Sequence, residues 1–357
     1  MEKPIVINML SSADKISGQG VGSAFEEQVN LLNEGANDLF EVRINSIKEA
    51  DIIHSHTIDP QNLVRMMSNS KPNVCYVHFL PDTLNGSIHL PKPIFNIFKA
   101  YVIGFYKSAD YLVVVNPDFM KQLEKYDIPK EKMVYIPNYV SKDTFYKKSK
   151  AEKIALRKDL NIKEDAFVVI GVGQVQTRKG VLDFVEVARR MPNIQFVWCG
   201  GFSFGKITDG YNELKDIVDN PPENVKFLGI VPREKMNDMY NMADVLFMPS
   251  YHELFPMSIL EAVNIEIPIV LRDLELYETI LFNKYLKGNN VDEFVLRIQT
   301  LQQQNVYEEA QANSKAISTY YSKENVLKIW KDFYTRIYQE WQSGELKERR
   351  KLDKKKK

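Results

Sequence analysis

At 357 residues the chain is long enough for two domains, each burying its own core. Apolar residues make up 44% and charged residues 26%, which excludes a disordered or collagen-like chain, and no apolar run approaches the roughly 18–20 residues of a bilayer span. The formal net charge is zero, so the chain as a whole offers no overall attraction to nucleic acid.

The N-terminus, Met1-Glu2-Lys3-Pro4-Ile5-Val6-Ile7, moves straight into a strand without a signal-peptide pattern, as expected of a cytoplasmic protein. Strands are predicted at Ile5–Met9, Asp51–His54, Asn73–His78, Tyr111–Val115 and Met133–Ile136, alternating with amphipathic helices. Ser141 to Asp165 is polar and Lys-rich, suiting a linker with a short helix. The alternation restarts with Phe167–Val172, Gln195–Cys199, Val225–Leu228, Val245–Met248 and Ile267–Leu271. This is a doubly wound α/β pattern written twice, and it predicts two Rossmann-like domains, residues 1–146 and 147–320, facing a cleft. Cys75 and Cys199 fall in separate apolar strands, as buried thiols rather than a disulfide or metal site. Residues 321–343 carry Val326, Ile329, Trp330, Phe333, Ile337 and Trp341 at helical spacing, predicting a long helix that packs back on the first domain. The tail 344–357 holds eight basic and three acidic residues, +5 against −5 for the body. It is expected to be disordered and to favour an anionic membrane surface. Without interleaved aromatic residues it is a poor nucleic-acid site.

Four elements fall where a cleft between such domains needs chemistry. Ser17-Gly18-Gln19-Gly20-Val21-Gly22 follows the first strand and precedes a helix, so the backbone can approach an anion at a helix N-terminus. Its spacing is not the dinucleotide fingerprint, and a Gly-rich turn there also serves packing alone. Gly171-Val172-Gly173-Gln174-Val175-Gln176-Thr177-Arg178-Lys179-Gly180 follows the first strand of the second half. Arg178 and Lys179 are placed to hold a diphosphate, or else form a solvated charged turn. His78 ends a strand, either facing a sugar or satisfied structurally, with His54 and His56 in a similar position. In the fourth element, Glu253 lies in a strand-to-helix loop and Glu261 about two helical turns on. Two acceptors so placed suit a sugar at one end of a ligand and a ribose diol at the other, or else are two solvated helix carboxylates. No Cys, His and carboxylate set has metal-site spacing, and a two-cation clamp makes a metal or other cofactor unnecessary.

The block Pro249 to Ala262, with Asp51-Ile52-Ile53-His54-Ser55-His56, Ile136-Pro137-Asn138, Gly173 to Gly180, Phe227-Leu228-Gly229 and Ala243-Asp244-Val245, resembles the retaining GT-B glycosyltransferases with the E-x7-E signature, family 4. The resemblance implies that Glu253 contacts the donor sugar, Glu261 the ribose diol, and Arg178 and Lys179 the diphosphate. It also implies backbone contacts near Phe255 and Met257, Gly20 against the donor from the opposite domain, and His78 near the transferred sugar. Three positions depart from the family pattern. Gln174 stands for a common Arg, Pro256 for a Gly, and Glu266 for another Gly, so that the last turn is expected to be altered.

Gly18-Gln19-Gly20-Val21, Tyr76 to Pro81, Gly173 to Gln176, Gly200 to Gly205 and Glu253 to Met257 are similar to a narrower group, the Gram-positive synthases adding a second α-hexose to glucosyl-diacylglycerol. These make membrane glycolipids and lipoteichoic-acid anchors. The implied reaction moves α-glucose or α-galactose from a UDP-hexose to glucosyl-diacylglycerol at the inner face of the cell membrane. Diacylglycerol itself, a polyprenyl-linked saccharide or a soluble one stay open as acceptors, and a non-catalytic sugar-binding or scaffold role stays open as a second reading. The segment 91–107 supports a lipid acceptor from its own composition. Phe95, Phe98, Tyr101, Phe105 and Tyr106 are expected to enter the lipid interface, with Lys99 and Lys107 at headgroup level. The competing reading is an ordinary helix packed on the first sheet.

Overall fold

The computed structural model describes residues 3–13, 20–81, 91–203, 205 and 208–355. Ser17, Gly18, Gln19, Phe204 and the last two lysines therefore lie outside the described residues. Strands β1 (Ile5–Leu10), β2 (Phe40–Ile44), β3 (Ile52–Ser55), β4 (Asn73–Val77), β5 (Tyr111–Val114) and β6 (Met133–Tyr135) form a parallel sheet in the order β2-β1-β3-β4-β5-β6. A second parallel sheet contains β7 (Val168–Val172), β8 (Gln195–Cys199), β9 (Val225–Phe227), β10 (Val245–Met248), β11 (Ile269–Arg272) and β12 (Leu286–Gly288), in the order β12-β11-β10-β7-β8-β9. Strand order reverses beside β1 and beside β7, so each sheet opens a crevice at the carboxyl end of its first strand.

The central strands β4, β5, β10 and β11 are buried at every residue, which is why they read as unbroken apolar runs. β2 and β12 escaped the sequence reading. Each is the outer strand of its sheet and only half covered, so its side chains carry a loop-like mixture of polar and apolar types. One contiguous apolar cluster joins the two halves, running from Val140 and Phe145 to Tyr240, Phe255 and Leu260. Both cysteines are buried and free.

The helix Lys323–Gln342 buries Val326, Trp330, Phe333, Tyr334 and Ile337. It crosses back to the first domain, where the Tyr334 hydroxyl takes a hydrogen bond from Gln28 Nε2 at 2.9 Å and lies 2.6 Å from His54 Nδ1. The tail departs from expectation. Glu345–Lys355 is helical because it has something to dock on. Leu346 is buried, the Arg350 guanidinium spans both carboxylate oxygens of Asp110 at 2.7 and 2.6 Å, and Arg349 reaches Glu340.

The helix Lys92–Ser108 also corrects the sequence reading. Phe105 and Tyr106 are fully buried against the first sheet, with Val102 and Ile103 on the same face, and the Tyr106 hydroxyl donates to the Phe79 carbonyl at 2.7 Å. They are core residues, and neither reaches the surface. Phe95, Phe98 and Tyr101 are half-buried; Phe98 stacks on Phe79 and Tyr101 donates to the Ile58 carbonyl. The outward apolar side chains are Ile94 and Ile97, 53% and 73% exposed. Beside them the helix Pro60–Ser68 exposes Val64 and Met67. Lys99 lies over the Tyr126 ring and Lys107 approaches Asp127 at 3.8 Å. Among the described residues no helix is long and apolar enough to cross a membrane.

Candidate active site

The loop that leaves β10 at Pro249 carries Glu253 inward, and the helix Met257–Asn264 follows it. Glu253 is 7% exposed, and its Oε1 accepts from Lys179 Nζ at 2.5 Å. Lys179 comes from a 3-10 turn, Thr177–Lys179, at the mouth of β7. Gly180 makes this approach possible. It sits at φ +69°, and a Cβ there would meet the Pro249 carbonyl oxygen at 2.3 Å. Any side chain would drive the two loops apart. The Tyr251 amide donates to the Arg178 carbonyl at 2.8 Å, and Arg178 Nη1 donates to the His252 carbonyl at 3.0 Å, so the loops form one unit.

Burial alone would raise the Glu253 carboxyl, but Lys179 and Arg178 outweigh it and hold the group below its ordinary range. Burial also lowers the Lys179 ammonium, against the pull of Glu253. Glu261, one and a bit turns into its helix, is 5% exposed. Its Oε1 accepts from Arg233 Nη1 at 2.8 Å and its Oε2 from the Tyr240 hydroxyl at 2.6 Å. The first amides of that helix, at Met257 and Ser258, have no acceptor within it and add a positive dipole end.

The first domain forms the facing wall. Gly20 begins the helix Gly20–Gly35 opposite Met257, where a Cβ would stand 3.9 Å from the methionine Cγ. His78, at the end of β4, stacks on Tyr76 with 4.2 Å between centroids, and its Nε2 lies 3.4 Å from His56 Nδ1. Burial pushes its pKa down to about 3, so the imidazole is neutral. Two first-domain amides hold the second-domain loop: Asn138 Nδ2 donates to the Phe255 carbonyl at 2.8 Å and Asn116 Nδ2 to that of Leu254 at 3.3 Å. The cleft is about 420 Å³, and Gly20, His78, Arg178, Lys179, Glu253, Phe255, Met257 and Glu261 all line it.

Glu266, expected to alter its turn, stands in a backbone conformation that favours glycine. It adopts φ +63°, the left-handed conformation a glycine would take, and pairs with Lys147 at 3.2 Å. Among the described residues no group of three or more His, Cys, Asp or Glu could hold a metal ion. Sequence reasoning missed Arg233, Tyr240, Glu27 and Asn116. Asn138 stood inside a family-like block with no role attached to it. A polar residue just past a strand end was the available signal for both asparagines; Arg233 and Glu27 gave none.

Residues 39–144 match the family model described as Glycosyltransferase Family 4, and residues 152–318 that described as Glycosyl transferases group 1. The chain is 46% identical to the alpha-galactosylglucosyldiacylglycerol synthase of Streptococcus pneumoniae, over 93% of this chain and 90% of that protein. It is 29% identical to the processive diacylglycerol alpha-glucosyltransferase of Acholeplasma laidlawii, over 77% of this chain and 81% of the relative. Among solved structures, sucrose-phosphate synthase from Thermosynechococcus elongatus superimposes with a TM-score of 0.75 at 16% identity, covering 94% of this chain and 99% of that one. Anabaena Alr3699/HepE in complex with UDP-glucose gives 0.73 at 16% identity, covering 93% and 100%. Two facing parallel sheets closed by a returning C-terminal helix, and a cleft built around paired glutamates eight residues apart, belong with these relatives: the chain is a GT-B enzyme of glycosyltransferase family 4.

Proposed function

We propose that this enzyme transfers an α-hexosyl group, glucose or galactose, from a UDP-sugar to glucosyl-diacylglycerol, making a membrane glycolipid of the lipoteichoic-acid anchor type. The observation that carries the reading is the Glu253–Lys179 pair on the cleft floor, with Glu261 held nearby in the same cleft. An ammonium has three donors, so Lys179 can keep Glu253 and still bind a diphosphate oxygen. Arg178 and the amides of Met257 and Ser258 add positive charge around the same position. Glu253 then orients the donor sugar, Glu261 accepts from the ribose diol, and neutral His78 offers a hydrogen bond to the transferred hexose. Gly20 and Met257 close the cleft over the donor.

The acceptor hydroxyl attacks C1 from the face on which the UDP departs. The C1–O bond to the diphosphate breaks, the new glycosidic bond forms, and the leaving diphosphate takes the hydroxyl proton. Catalysis rests on positioning and on stabilising the leaving group's charge, without a metal cofactor. The identity to the pneumococcal relative over most of the chain supports the acceptor class.

Peripheral attachment to the inner face of the cell membrane is part of this reading. Ile94, Ile97, Val64 and Met67 present apolar surface on two neighbouring helices, and Lys99 and Lys107 flank it. Purified enzyme supplied with each UDP-hexose, a chelator, and vesicles containing diacylglycerol or glucosyl-diacylglycerol tests the proposal. Transfer confined to glucosyl-diacylglycerol and unaffected by the chelator is expected. Transfer to diacylglycerol alone, or to a soluble saccharide without vesicles, would replace the acceptor assignment.

A further inference from the structure

We infer that Arg233 is a positioning residue that aims Glu261 at the nucleotide ribose, and that Glu27 of the opposite domain holds Arg233 in place. The inference rests on the assignment of Glu261 to the ribose diol.

The geometry is a chain of three charges across the domain boundary. Arg233 Nη1 donates to Glu261 Oε1 at 2.8 Å, and Nη2 donates to Glu27 Oε1 at 2.6 Å. Glu27 lies on the helix Gly20–Gly35 of the first domain, 7% exposed as a side chain, and its second oxygen accepts from the Ser141 amide at 2.9 Å. The guanidinium plane lies over the buried Phe145 ring, 5.1 Å from its centroid. Glu27 is thus tied at both oxygens and Arg233 at both terminal nitrogens and one face. A planar fork can serve two carboxylates in two directions at once, which a lysine ammonium on a flexible stem does not reproduce.

Glu261 is left aimed but unsaturated. A carboxylate offers about four acceptor directions, and Arg233 and Tyr240 take one on each oxygen. Each oxygen keeps one direction, and two adjacent ribose hydroxyls need one acceptor apiece. Arg233 and Glu261 line the cleft, whereas Glu27 does not. Glu27 makes no contact of its own in the cleft, and Arg233 is the hydrogen-bonded link between it and Glu261. Burial raises the Glu27 carboxyl while Arg233 pulls it down, in keeping with a carboxylate whose main compensation is this one arginine.

The test uses the full chain and compares calorimetric affinities for UDP and 2′-deoxy-UDP in the parent, Glu261→Gln, Arg233→Lys and Glu27→Gln. A lost hydrogen bond to a charged acceptor predicts that the parent prefers UDP by roughly tenfold to a hundredfold. Arg233→Lys and Glu27→Gln should shrink that preference to about threefold or less, leaving affinity for 2′-deoxy-UDP near the parent's. If both variants weaken the two nucleotides equally and keep the ratio, the residues only support the fold and the inference is overturned. If the parent shows no preference, or Glu261→Gln preserves it, the ribose assignment itself falls and takes this inference with it. Glu27→Gln keeps the side-chain shape and lies outside the cleft, so it carries the test should Arg233→Lys fail to fold.

Discussion

Lys179 Nζ stands 2.5 Å from Glu253 Oε1, with the two side chains 11% and 6% exposed. A pair this dry owes its stability to being complete, because either charge alone would sit in low dielectric without an answer. Lys179→Met should cut hexosyl transfer by about a hundredfold or more and destabilise the fold by about 3–5 kcal/mol. Glu253 is held below its ordinary pKa by Lys179 and Arg178 against burial, so removing Lys179 raises it. Protonation then relieves the penalty, and the stability gap between variant and parent should be smaller at pH 5 than at pH 8. Urea unfolding at the two pH values checks this, and an equal gap at both would show that Glu253 carries no uncompensated charge.

A second pH dependence comes from the histidines under the cleft. His54 and His56 are 0% and 3% exposed. Burial, then the neighbouring His78, pushes His54 down to about 3, and burial with His54 and His78 holds His56 well below its ordinary value. The folded protein keeps both neutral while the unfolded chain takes up protons near pH 6.5. Their contribution is therefore complete above about pH 6.5 and declines as pH falls, by about 2 kcal/mol per histidine at pH 5. Denaturant titrations at pH 7.5 and 5.0 should show the loss, and His56→Asn should make it smaller by about one histidine's share. A slope unchanged in that variant would refute the assignment.

Glu266 spends conformational energy to hold φ +63° where glycine would rest. Its ion pairs with Lys147 and Lys315 are exposed and contribute little. Glu266→Gly should stabilise the protein by about 1 kcal/mol, read as a higher melting temperature with transfer unchanged. A lower melting temperature would mean that the exposed pairs outweigh the backbone.

The membrane reading now rests on different side chains from those the sequence pointed to. Ile94→Ser with Ile97→Ser should weaken binding to vesicles, anionic or neutral, by about tenfold or more, with the fold intact. Phe105→Ser should instead destabilise by about 3 kcal/mol, because that ring is in the core. Replacing Lys347, Lys351 and Lys355 with Ala should weaken binding to anionic vesicles by about 1 kcal/mol each and spare neutral ones. These lysines are exposed, and Arg350 and Leu346 keep the helix docked without them. Flotation that does not change in the isoleucine variant would move the contact surface elsewhere.

Ten strands and the cleft-facing ends of β4, β7 and β10 were readable because buried parallel strands leave continuous apolar runs. The Glu253 and Glu261 spacing was readable because one loop and little more than one helical turn fix it locally. What stayed hidden depends on distant neighbours. Glu27 and Arg233 meet across 206 positions, and nothing near either residue announces the other. The aromatic segment 91–107 gave the helix but misassigned its faces, since Phe105 and Tyr106 suit a core as well as a lipid interface. The tail looked unstructured because a run of lysines and arginines says nothing about Asp110 and Glu340, which receive two of them.

Tyr334 reaches Gln28 and His54, residues that leave the ribosome some three hundred positions earlier. Trp330 and Phe333 occupy the same first-domain face, so that face is bare until the helix Lys323–Gln342 has been made. The strands of the second sheet, β7 to β12, lie within 168–288 and are all available before the helix Lys323–Gln342 that the first sheet needs. Order of synthesis and order of completion are thus reversed: the domain made first must wait, partly uncovered, for a helix made after the strands of the second. Ribosome-stalled chains ending before Lys323 should expose the apolar surface around His54 and Tyr76 to chaperones and proteases, and chains extended beyond Gln342 should close it.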